Sequence, residues 1–180
     1  TRFATNSDFS SNRVHTGEVT EINALRHTIL SAIITARFGK DIAKEATDIH
    51  EGTSELPSSK TDSVTFKDTG TADVEADLRN NQIGFEIGAG MEEKSNKEIA
   101  VSVLTHFKDN GLNVLKANSD GTTSVITTKI GQQQFDNTLK EWSRRENRTG
   151  FSPQGRKEYD DEERKKIEKN LSKNARTAEE

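Results

Sequence analysis

Apolar residues in this chain recur at helical spacing over five stretches, and one further region reads as a β-hairpin. In "TGEVTEINALRHTILSAIITARFG", Ile22, Leu25, Ile29, Ala32, Ile33 and Ala36 stand three or four residues apart. That spacing places them on one face of a helix, with Leu30 and Ile34 widening it. Thr20 is the predicted N-cap, Glu21 suits the positive end of the helix dipole, and Gly39 is the predicted stop. "KDIAKEATDIHE" predicts a second helix with Ile42, Ala43, Ala46, Ile49 and His50 on its inner face. The short link at Gly39 makes the two an antiparallel hairpin.

The stretch "GTSELPSSKTDSVTFKDTG" reads as loop, with a short extended piece at Val64–Phe66. A third helix follows in "TADVEADLRNNQIGFEIG", capped by Thr71 and facing inward with Val74, Leu78, Asn81 and Phe85. Gly84 and Gly88 are expected to weaken its far end. "SNKEIAVSVLTHFKDNG" predicts a fourth helix with Ile99, Val103, His106 and Phe107 inward. "LNVLKA", the turn "NSDG" and "TTSVITTK" predict a β-hairpin, and "GQQQFDNTLKEWSRR" a fifth helix aligned on Phe135, Leu139 and Trp142. "TGFSPQG" is a linker, and the segment after it is a charged helix on which only Ile167 and Leu171 are apolar.

The expected architecture is mostly α (α+β): a helical core of about five helices with one small antiparallel β-hairpin. Residues 1–19 form a polar arm with Phe3, Phe9 and Val14 as anchors. Residues 20–147 form the core domain, with its hairpin at 112–129. Residues 148–180 form the linker and charged tail.

Composition narrows what such a fold does. Hydrophobic residues are 29% and charged residues 31%, which implies a modest core beside well-solvated segments. No uncharged apolar run is long enough to span a bilayer. The first residues lack the apolar centre of a signal peptide, and the absence of an initial Met suggests a piece of a longer chain. With no cysteine, disulfides, thiolate metal sites and a cysteine nucleophile are excluded. The net charge of −4 argues against strong non-specific binding to nucleic acid.

Polar residues on the apolar helices carry the candidate chemistry. Asn23 and His27 lie four apart on the first helix. His50 and Glu51 close the second, and Asp77 and Asn81 lie four apart on the third. Burying such groups costs a few kcal/mol each unless they meet partners, so the economical fold brings them together. His27, His50 and a carboxylate, Glu51 or Asp77, would form a two-histidine, one-carboxylate site for a divalent metal, with a position left for water. Without metal, a histidine beside a carboxylate is a general base. Arg26 is the candidate anchor for an anionic group such as a phosphate. The competing reading makes Asn23, His27, His50, Asp77 and Asn81 a satisfied polar network in the core.

Other motifs carry less. "HE" without a second histidine four residues after the first is not the zinc-protease pattern. Gly84, Gly88 and Gly90 lack nucleotide-loop spacing. Ser31 lacks the context of a catalytic serine. His15 is expected to be exposed, His106 to be a core histidine, and Arg144, Arg145 and Arg148 to be a solvated face.

The pieces "NALRH", "FGKDIAKEATDIHE" and "DLRNNQIGFEIG", spread over roughly residues 20 to 90, resemble a largely uncharacterised bacterial domain family. That family occurs often at the C-termini of secreted and polymorphic toxin proteins, and more often carries a second histidine where Arg79 stands here. The resemblance implies an effector module delivered into a target bacterial cell and opposed by a cognate immunity protein. It supplies no reaction. Joined to the polar cluster, it makes a hydrolase acting on nucleic acid or another cell polymer the leading expectation. A non-catalytic membrane-disrupting toxin and a helical adaptor are the alternatives.

Overall fold

The computed structural model describes residues 2–5, 7, 21–52 and 63–177. Seven helices and three strands occur among them. They are α1 (Arg2–Thr5), α2 (Glu21–Phe38), α3 (Lys40–Glu51), β1 (Ser63–Phe66), α4 (Thr69–Gly88), α5 (Asn96–Asp109), β2 (Leu112–Ala117), β3 (Thr123–Thr128), α6 (Gln132–Ser143) and α7 (Pro153–Thr177). The expected mostly helical fold with a small antiparallel sheet is the fold observed. Thr20, Phe9, Val14, His15 and residues 53–62 lie outside the described residues, as does the Leu171 side chain.

The hairpin is part of a larger sheet. β3 is central, with β2 antiparallel on one side and β1 antiparallel on the other, so the extended piece at 64–66 becomes an edge strand. Val64 pairs with Val125 on one side and Leu115 with Val125 on the other.

α2 is the axis of the molecule. Leu25, Ile29 and Ala32 on it are fully buried, and α1, α3, α4 and α5 all pack around it. The chain turns at Gly39, whose φ of 87° is the left-handed conformation that glycine adopts without steric cost. α3 then runs back against α2 and α4. Its inner residues are Ala43 and Thr47, whereas Ile42 and Ile49 are 53% and 76% exposed. The predicted inner face of this helix is therefore rotated by about one residue: Glu51 turns inward, and Ile42, Ala46, Ile49 and His50, all expected inside, face solvent.

Gly84 and Gly88 do the opposite of weakening α4. A Cβ at Gly84 would stand 2.6 Å from the Thr28 carbonyl oxygen, and one at Gly88 2.3 Å from that of Ala32. Their missing side chains let α4 press against α2 backbone to backbone. α4 also begins earlier than predicted. Asp68, not Thr71, is its N-cap, and its carboxylate accepts the Thr71 N–H at 2.7 Å. α5 starts with a capping box formed by Ser95 and Glu98.

One side chain ties α4 to the sheet. Asn80 is fully buried; its amide donates to the Asn113 carbonyl at 2.9 Å, and its Oδ1 accepts the Asn113 N–H at 2.9 Å. It thus pairs with β2 as a neighbouring strand would. Asn80→Ala strands a buried N–H and C=O together, each costing about 1–3 kcal/mol. We expect a loss of about 3 kcal/mol, read as a lower urea midpoint. An unchanged midpoint would show that water replaces the amide at no cost.

The arm contributes to the core at its first turn. Phe3 is fully buried, packs edge-to-face on Trp142 with ring centroids 5.4 Å apart, and its carbonyl accepts the Trp142 indole N–H at 3.0 Å. α7 is exposed along much of its described length and is laced by pairs such as Arg156 with Asp160 and Lys166 with Glu163.

Candidate functional site

α2, α3 and α4 meet near the first turns of α2, and their polar side chains meet with them. Asn23 and His27 project from α2, His50 and Glu51 from the last turn of α3, and Asp77 from the middle of α4. Gly52 closes α3 in the left-handed conformation, with φ 69° and its N–H on the Asp48 carbonyl. This C-cap sets where His50 and Glu51 point.

His27 is at the centre and only 5% exposed. Its Nδ1 stands 3.4 Å from Glu51 Oε1, and its Nε2 stands 3.4 Å from Asp77 Oδ2. The His50 ring lies 5.7 Å from the His27 ring, centroid to centroid, on the solvent side. Asp77 Oδ1 accepts a hydrogen bond from Asn23 Nδ2 at 3.3 Å. Exposed Arg26 bonds Asn23 Oδ1 and approaches His27 Nε2 at 3.4 Å, placing a cation at the rim. Although Glu51 Oε1 lies close to the imidazole, it is buried and no donor points at it with hydrogen-bonding geometry.

The acid–base character is uneven. Burial drives the Asp77 carboxyl up to about 7, and nearby Glu51 and Asp73 push the same way, while His27 and Arg26 oppose them. Such a group takes up or releases a proton near neutrality. The folded chain then holds a proton on Asp77 that the unfolded chain has released above about pH 4. Stability from this group is therefore complete below that pH, declines as pH rises to about 7, and is gone above it. Asp77→Asn removes the decline. In chelator, we expect the variant to be more stable than the parent at pH 8, by on the order of 1–3 kcal/mol. The gap should close toward pH 4 in paired thermal melts. A constant gap at all pH values would place the titration elsewhere.

Asn81 lies outside this group. Its Oδ1 accepts the Ser31 hydroxyl at 2.6 Å, and both residues are buried between α2 and α4. Ser31 is one turn beyond His27 and Asn81 one turn beyond Asp77, so the two pairs are successive rungs of one polar ladder. This second rung positions the helices, a role the spacing of Asn81 alone does not separate from chemistry. Asp73, one turn before Asp77, adds negative charge to the site; its i, i+4 relation to Asp77 was the available signal. Elsewhere, His106 is half-buried at the edge of the core rather than within it, and desolvation lowers its pKa. Arg145 is bound to Glu141 and to the Gly150 carbonyl, so it braces a turn and is not part of a wholly solvated face.

Residues 2–111 match the model of one family, Domain of unknown function (DUF6973). That span is more than half of the chain. The protein belongs to this family. Every residue of the site, from Asn23 to Asp77, falls inside the DUF6973 span, as do α1 to α5 and β1. β2, β3, α6 and α7 lie entirely beyond it. The three helices that build the cluster therefore belong to the DUF6973 portion. No curated protein and no solved structure matches the chain.

Proposed function

We propose that this domain is a hydrolase, carried as the effector module of a bacterial antagonism system, with His27 at its reactive centre. The observation that carries the reading is a nearly buried imidazole, flanked on both nitrogens at 3.4 Å by carboxylates from two other helices. Two carboxylates and an imidazole are expensive to bury together and are retained most readily where they act. In this reading His27 takes a proton from water, and Asp77 and Glu51 orient the ring and balance its charge. Arg26 is the cation nearest the centre and would hold an anionic group of the substrate, a phosphodiester being the leading candidate. Delivery into a target cell and a cognate immunity protein are supported by the resemblance of "NALRH", "DIHE" and "DLRNN" to toxin-borne domains.

The test is incubation of the purified protein with RNA, DNA, lipid and cell-wall material, alongside a His27→Gln variant. Cleavage of one class by the parent alone supports the proposal; cleavage of none by either protein refutes it.

A membrane-active reading draws on the exposed Leu30, Phe38, Ile42 and Ile49 of the helical hairpin. No described helix is long and apolar enough to cross a membrane, so this activity would rest on surface insertion. Dye release from liposomes by both the parent and His27→Gln would favour it over hydrolysis.

A further inference from the structure

We infer that His27, His50 and Glu51 bind a divalent transition metal of the zinc class, with Asp77 holding His27 from behind. This deepens the hydrolase reading, on which its catalytic meaning rests, and changes the part of His27 in it from base to ligand, with the metal activating the water; the binding itself stands on separate observations.

The first is convergence. One nitrogen from each histidine and one Glu51 oxygen all lie within 4.8 Å of one another. The second is the spacing of the closest pair. Ligands about 2.1 Å from a tetrahedral metal stand about 3.4 Å apart along an edge. His27 Nδ1 and Glu51 Oε1 are 3.4 Å apart. The third is the Glu51 oxygen itself. Its side chain is 7% exposed, and Oε1 accepts no hydrogen bond, although buried carboxylate oxygens normally find donors. A metal ion supplies the missing partner.

The remaining geometry fits a metal-binding histidine. A ligating imidazole commonly donates its other N–H to a carboxylate, which fixes the tautomer and raises ring basicity. Asp77 Oδ2 stands 3.4 Å from His27 Nε2, on the side of the ring away from Glu51, and is itself held by Asn23; the Arg26 guanidinium approaches the same nitrogen at 3.4 Å and must yield it for this donation. Two imidazoles and one carboxylate suit zinc and its neighbours, not magnesium or calcium, which prefer all-oxygen shells. Three protein ligands leave a fourth position for water, and His50 is exposed. A metal bound there would lower the pKa of its water toward neutrality.

The test uses tag-free full-length protein equilibrated with Zn²⁺ or Co²⁺, followed by elemental analysis and the visible spectrum of the cobalt form. One metal per chain and the intense absorption bands of tetrahedral cobalt are expected. His50→Ala and Glu51→Gln should bind at least 100-fold more weakly, and Asp77→Asn roughly 10- to 100-fold more weakly. Because His50 is exposed, its variant should keep the metal-free melting temperature of the parent. A parent that holds no metal above background overturns the inference, as does equal binding by His50→Ala and Glu51→Gln. If the parent binds no metal yet cleaves its substrate undiminished in excess chelator, the metal falls and the hydrolase reading survives. One metal per chain on a protein that cleaves nothing upholds the metal and removes the hydrolase reading.

Discussion

His27→Gln is expected to reduce hydrolysis at least 10³-fold while moving the melting temperature by only a few degrees. Glutamine spans nearly the same distance and retains one donor and one acceptor, so Glu51 and Asp77 are not left facing a void. What it lacks is a titrating nitrogen near neutral pH and a basic lone pair. General acid–base catalysis contributes about 10²–10⁴, and where His27 instead holds a metal, loss of that ligand removes the activated water to similar effect. The comparison to make is turnover against stability in the same preparation. If activity and melting temperature fall together, the cluster is a structural polar network, and its histidine is there to pair two helices with a third. Preserved activity in a folded variant would remove His27 from the reaction altogether.

Gly88→Ala is expected to destabilise the fold as much as Asn80→Ala does. Alanine is a better helix former than glycine by about 1 kcal/mol, and that gain favours the variant. Against it, the new methyl would lie 2.3 Å from the Ala32 carbonyl oxygen and 2.8 Å from Thr35 Cβ. Close carbon–oxygen contacts in proteins stand at about 3.3 Å or more, so the helices must separate by on the order of 1 Å. The atoms in the way are mostly α2 backbone, which has no rotamer to escape into. Overpacking of this kind costs about 1–3 kcal/mol and more where the surroundings are rigid. The clash outweighs the propensity gain, and we expect a net loss of about 3 kcal/mol, a drop of roughly 6–12 °C in melting temperature. Gly84→Ala, whose methyl would lie 2.6 Å from the Thr28 oxygen, should behave alike and should also disturb hydrolysis. It sits two turns from Asp77, and separating α4 from α2 lengthens the His27–Asp77 approach. A raised melting temperature for Gly88→Ala would mean that α2 and α4 do not pack this closely.

Much of the architecture can be read along the chain. Ile22, Leu25, Ile29 and Ala32 mark α2, Gly39 marks its end, and the Val-, Ile- and Thr-rich runs around "NSDG" mark β2 and β3. These signals are local. A 3.6-residue or 2-residue period records which face of a segment is covered, whatever covers it. The pattern fails where the covering element decides the outcome. In α3, Ile42 and Ile49 should be inward by spacing; the helix instead buries Ala43, Thr47 and the Glu51 side chain beside His27 and leaves both isoleucines outside. Gly84 and Gly88 weaken an isolated helix, and only the presence of α2 against them makes them an interface.

The candidate site divides in the same way. That Asn23, His27, His50, Glu51 and Asp77 needed partners was legible, because polar groups beside an apolar stripe incur a desolvation cost wherever the helix goes. Which of them met was decided by tertiary structure. His27 meets Glu51 and Asp77 because the Gly39 turn, the Gly52 cap and the close α2–α4 contact set three helices at fixed distances. Asn81, with the same i, i+4 credentials as Asp77, was drawn to Ser31 one turn further on. One-dimensional spacing determines which side chains share a face, and the identity of the face opposite arises only when distant segments pack.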